Sequence, residues 1–83
     1  MDSKGITLEI LNGIRKAIDL GYNRLYVNVD DLENDYGFLR VLAMKDPKYI
    51  IVFEGTFPLD VCYEVLDLLE MSRYQIKDFT TRR

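Results

Sequence analysis

Apolar side chains recur along this chain at two different periods, and the points where one period gives way to the other constrain what it can fold into. The first stretch, about Thr7 to Leu20, carries Ile10, Leu11, Ile14, Ala17 and Ile18 at three- and four-residue spacing. That spacing predicts a helix with one apolar face, ended by Gly21 and Asn23. A competing reading exists here, because Ile6, Leu8 and Ile10 alternate and Asn12-Gly13 is a hairpin signal. The longer period persists through Ile18 and favours the helix. From Arg24 to Asp30 the period drops to two, with Leu25, Val27 and Val29 on one side and Tyr26 and Asn28 on the other. This predicts a strand.

A second helix is expected over about Leu32 to Lys45, burying Leu32, Tyr36, Leu39, Leu42 and Ala43. Asp30 followed by Glu33 has capping-box spacing, and Asp46-Pro47 would stop the helix. Tyr49 to Glu54 is an almost continuous apolar run. It suits either a central strand covered on both faces or one face of a small sheet plus an oligomer contact. Gly55, Thr56 and Pro58 read as a turn, and a third helix follows over about Leu59 to Arg73. Its apolar stripe is Val61, Cys62, Val65, Leu66, Leu68 and Leu69. Gln75 to Thr80 reads as a short edge strand.

The order α-β-α-β-α-β makes this an α/β chain, a single domain over residues 1–83 with a three-stranded, mainly parallel sheet packed by helices. With 48% hydrophobic and 30% charged residues the composition is that of a packed domain, not a disordered one. No run approaches the ~20 apolar residues of a membrane span, and Asp2, Ser3 and Lys4 after Met1 do not read as a signal peptide. A cytoplasmic location is the expectation, with no membrane partner.

Fourteen acidic residues against eleven basic ones give a net charge of −3. Nucleic-acid binding through Arg24, Arg73, Lys77, Arg82 and Arg83 is the reading this disfavours, since phosphate-binding faces gain affinity from clustered Lys and Arg. Without histidine the usual His/Cys zinc sites cannot form, and the lone Cys62 falls in an apolar stripe. The five glycines form no phosphate-binding loop. No catalytic residues are assigned.

Two groups of side chains remain as candidates. Asp30, Asp31 and Glu54 fall at expected strand ends, where carboxylates could hold Mg²⁺ against a phosphate substrate. The stretch Ile50-Ile51-Val52-Phe53-Glu54-Gly55 followed by Asp60 resembles the first motif of Toprim domains. That resemblance implies metal-assisted phosphodiester chemistry at Glu54; the Asp-x-Asp motif of that family does not follow. Leu25-Tyr26-Val27-Asn28, Lys45-Asp46-Pro47, Pro58 and Glu64-Val65-Leu66-Asp67 together look like the soluble domain of ExbD/TolR transport proteins, and imply a dimerising fold.

The second group is aromatic: Tyr22, Tyr26, Tyr36, Tyr49, Phe57, Tyr63 and Tyr74 are more than so small a core hides with ease. Tyrosine is favoured at protein interfaces because its ring buries area while its hydroxyl keeps a partner. The functional expectation is a small non-enzymatic adaptor or inhibitor, of the kind viruses and phages encode, that binds a protein partner or pairs with itself as a homodimer. The alternative is a metal-dependent phosphate- or nucleic-acid-handling protein built on the three carboxylates.

Overall fold

The first helical period forms α1, Ser3–Asp19, in the computed structural model, which describes residues 2–76 and 79–82. Asp2 caps its start, its carboxylate accepting from the Lys4 backbone N–H at 3.1 Å. At the other end the Tyr22 N–H donates to the Ala17 carbonyl at 3.0 Å and the Gly21 N–H to that of Ile18 at 2.9 Å. This is the Schellman arrangement, which requires a left-handed residue; Gly21 supplies it with φ +90°. Helix, not hairpin, is therefore the state of the Asn12-Gly13 segment.

The second period forms β1, Arg24–Asp31, with Leu25 and Val27 buried as expected. The segment that follows departs from the sequence reading. Leu32 to Lys45 is not a helix: residues 33–35 make one 3₁₀ turn with Asn34 and Asp35 at φ +61° and +60°, and Tyr36–Lys45 is a strand, β2. Asp30 consequently caps nothing. Both periods are written in the same residues, since Tyr36, Leu39, Leu42 and Ala43 keep helical spacing while Gly37, Leu39, Val41 and Ala43 alternate. Packing decides between them. As a strand, β2 buries all four of the alternating residues and hydrogen-bonds to neighbours on both sides.

Asp46-Pro47, joined by a cis peptide bond, turns the chain into β3, Lys48–Pro58. The expected turn at Gly55 to Pro58 is the end of this strand. The second helix, α2, spans Leu59–Met71 and buries Cys62, Val65 and Leu69. A 3₁₀ turn at Arg73–Ile76 and a three-residue strand β4, Thr80–Arg82, complete the described chain.

Among the described residues four strands lie in the order β3-β2-β1-β4. Neighbours β1, β2 and β3 are antiparallel, and β4 alone runs parallel to its neighbour, β1. This overturns the mainly parallel α/β arrangement: replacing one crossover helix by a strand converts one βαβ connection into two hairpins. The long apolar strand is also not central but at the edge. Val41 lies opposite Phe53 and Leu42 opposite Ile51, so Val52 is an extra residue, a β-bulge.

Both helices pack on the same face of the sheet. Ile6, Ile10, Ile14 and Ala17 of α1 and Cys62, Val65 and Leu69 of α2 share one cluster with Leu25, Val27, Leu39, Val41, Ala43 and Phe57. Gly37 marks how closely α2 approaches: a Cβ there would lie 2.8 Å from Leu59 Cδ2 and 3.2 Å from Cys62 Sγ. Gly13 does the same for α1, with Val52 Cγ1 2.7 Å from its would-be Cβ. Among the described residues, no helix is long and apolar enough to cross a membrane.

Candidate functional site

With the helices on one face, every second residue of β1, β2 and β3 is left on the other, which neither α1 nor α2 covers. Register groups these residues into rows across the strands. Arg24, Met44 and Tyr49 form one row; Tyr26, Leu42 and Ile51 form the next. Asn28, Arg40 and Glu54 follow, then Asp30, Phe38 and Thr56, with Tyr36 beside Pro58 at the end. Strands sit about 4.8 Å apart, so each row is about 10 Å wide. The first two rows are apolar except for Arg24. Tyr26 is 37% exposed, Ile51 53% and Tyr49 62%, with Leu42 and Met44 half-buried between them. They form one contiguous patch.

The next two rows carry most of the polar side chains of the face, and several of these are paired. Arg40 Nε stands 3.4 Å from Glu54 Oε2, and its guanidinium lies 5.1 Å over the Phe38 ring. Both members of the ion pair are nearly half exposed, so it orients the side chains more than it stabilises the fold. Asn28 Nδ2 donates to Asp30 Oδ1 at 3.0 Å.

The sequence-expected residues distribute unevenly over this framework. Of the aromatic set, Tyr26, Tyr36 and Tyr49 lie on the open face. Phe57 belongs to the core at 8% exposure. Tyr22 packs against that core from the α1 cap. Tyr63 is exposed on α2 and its hydroxyl donates to Asp31 Oδ1 at 3.4 Å. The neighbouring Asp31 charge, which a phenolate would repel, raises the Tyr63 pKa above its ordinary value. The side chain of Tyr74 lies outside the described residues, as do those of Lys77, Arg82 and Arg83.

The three carboxylates each have a different partner: Asp30 with Asn28, Asp31 with Tyr63, Glu54 with Arg40. An antiparallel meander has no common carboxyl edge, and Glu54 stands level with Asn28, not with the end of β1. Among the described residues, no three Asp, Glu, Cys or His side chains gather into a metal-binding group. Cys62 is fully buried, its thiol facing the Gly37 and Phe57 carbonyls at 3.7 and 3.6 Å. Burial raises its pKa against the opposing pull of the Phe57 contact, and so holds it as the neutral thiol.

Leu42, Met44, Ile51, Phe38 and Arg40 complete the face, and sequence reasoning named none of them as functional. The signal for the four in β2 was the alternation in Gly37 to Met44, which a helical reading of the segment conceals. No family model matches the chain, and the comparisons with curated proteins and with solved structures found no match.

Proposed function

We propose that this chain is a small non-enzymatic interaction protein, an adaptor or inhibitor, that engages a protein partner through the open face of its sheet. The observation that carries the reading is the contiguous patch of Tyr26, Leu42, Met44, Tyr49 and Ile51 on the side away from both helices. Scattered exposed apolar residues need no explanation, but a patch shared by three neighbouring strands does. Its make-up supports protein recognition. Two tyrosines and a methionine supply the residue types enriched at interface cores, and the ion-paired Arg40 and Glu54 with Asn28 and Asp30 supply a polar rim.

A photo-cross-linking residue placed at Ile51, on the patch, and in a separate protein at Glu64, on α2, tests this in the native host. The expected result is a discrete adduct from position 51 that disappears when Leu42→Lys is added, with none from position 64. Adducts of equal yield from both positions, or adducts from 51 that survive Leu42→Lys, would overturn it.

A further inference from the structure

We propose that the partner of this face is a second copy of the chain, paired antiparallel along β3 from Lys48 to Val52 with Ile50 on the two-fold axis. The proposal rests on the reading of the open face as an interaction surface, because it uses the same Tyr49 and Ile51. It adds the neighbour and the register.

β3 is the terminal strand of the sheet, and its outer edge faces no strand among the described residues. An edge of this kind, eleven residues long, presents unpaired N–H and C=O groups to any strand that can align with them. Two features divide it. The Asp46-Pro47 turn closes one end, and the bulge at Val52 interrupts the alternation. Regular pairing therefore has two segments to choose from, 48–52 and 53–58.

A two-fold axis through Ile50 brings Tyr49 opposite Ile51 of the second copy and Lys48 opposite its Val52. Every pair then falls on one side of the joined sheet, Tyr49 and Ile51 on the open face and Lys48, Ile50 and Val52 on the helix face. The segment carries a single charge, Lys48, which meets an apolar residue and not its own copy. The competing axis, through Gly55, would put Glu54 and Thr56 on the open face of the joint. Glu54 is already held by Arg40. The exposed large apolar residues on the open face of this strand are Tyr49 and Ile51, and the Ile50 register covers both.

The same register extends the patch. Row continuity gives Tyr26, Leu42 and Ile51 of one copy followed by Tyr49, Met44 and Arg24 of the other, and the mirrored row beside it. Two four-stranded sheets become one of eight, with all four helices on one side.

Disulfide trapping reads this register directly. Directly opposite residues have Cβ atoms about 4.5–5.5 Å apart and diagonal ones about 7–8 Å, and only the former approach the reach of a disulfide. Ile50→Cys, oxidised mildly in the full chain, is expected to trap a covalent dimer with itself. Tyr49→Cys and Ile51→Cys are each expected to stay monomeric alone and to cross-link when mixed. The wild type, with its buried Cys62, is the blank, and its sedimentation should show the mass doubling with concentration. Wild-type protein that stays monomeric at millimolar concentration, or Tyr49→Cys that traps itself as readily as Ile50→Cys, overturns the proposal. Because Tyr49 and Ile51 are exposed, the mixed pair remains informative even if Ile50→Cys loosens the fold. If trapping fails while the position-51 photo-adduct to another protein persists, the interaction face stands and the second copy falls.

Discussion

Substituting Gly37 by alanine separates the strand now seen over Tyr36–Lys45 from the helix its spacing also allows, because the two predict opposite signs. In the interior of a solvated helix, Gly→Ala stabilises by about 1 kcal/mol through backbone entropy alone. In the observed strand, the new methyl enters the seam under α2. It would lie 2.8 Å from Leu59 Cδ2, 3.1 Å from Val29 Cγ1 and 3.2 Å from Cys62 Sγ. Overpacking of this kind costs about 1–3 kcal/mol. The Leu59 methyl is the end of a flexible side chain and can rotate away; Val29 and Cys62, closing on the site from two other sides, restrict how far the rest can give. Against the cost stands a gain of about 0.4–1 kcal/mol from a less flexible unfolded chain. The net expectation is a loss of about 1–2 kcal/mol, or a melting temperature lower by about 4–16 °C for a domain of this size.

Urea unfolding followed by circular dichroism measures this, with an unchanged m-value as the sign that only stability moved. The companion variant is Leu59→Val, which removes the closest methyl. In the double variant the Gly37→Ala penalty should shrink, with a coupling of about 0.5–1 kcal/mol between the two sites. A Gly37→Ala protein more stable than wild type would refute the strand assignment. An additive double variant would refute the contact.

Three further outcomes follow from the same structure. Leu39→Ala should cost about 3–5 kcal/mol and Leu42→Ala about 1 kcal/mol or less in urea titrations, because Leu39 is fully buried under the helices and Leu42 lies on the open face. The thiol of Cys62 holds its proton more tightly folded than unfolded, so that contribution is complete below about pH 8.5 and is lost as pH rises above it. Melting across pH 7 to 10 should show the decline, and Cys62→Ala should flatten its lower part, leaving the fall near pH 10 to which Tyr63 contributes. Asp2→Ala should lower stability by about 1 kcal/mol in a thermal melt, through loss of the α1 cap, and Asp2→Asn should retain most of it.

Local chemistry made some elements legible and left others ambiguous. Around α1 the signals were redundant: a sustained apolar face, Gly21 where a left-handed residue is needed, and Tyr22 to close the cap over Ala17. Strand β1 was equally plain, since Leu25, Val27 and Val29 fit no helical face. Strand β2 was not, because its residues satisfy both periods and the choice depends on partners far along the chain. Only when Val41 has Val27 on one side and Phe53 on the other does the alternating face outweigh the helical one. A nonlocal contact decided it, and a single misassigned segment then changed the sheet from antiparallel to parallel.

The site inherited that dependence. Tyrosine count suggested an interface, but count has no geometry: Phe57 turned inward, Tyr22 sealed a cap, and Tyr63 turned to Asp31. What gathers Tyr26, Tyr49 and Ile51 into one patch is register, and register exists only once Leu42 and Met44 are placed in a strand between them. The carboxylates show the converse. Asp30, Asp31 and Glu54 converge only if all strands point the same way, and in a meander the same residues disperse to Asn28, Tyr63 and Arg40. Any function of this chain that draws on several strands therefore rests on the pairing of β2 with both its neighbours. A substitution that strains β2 where it packs under α2, such as Gly37→Ala, should diminish the open face together with the fold.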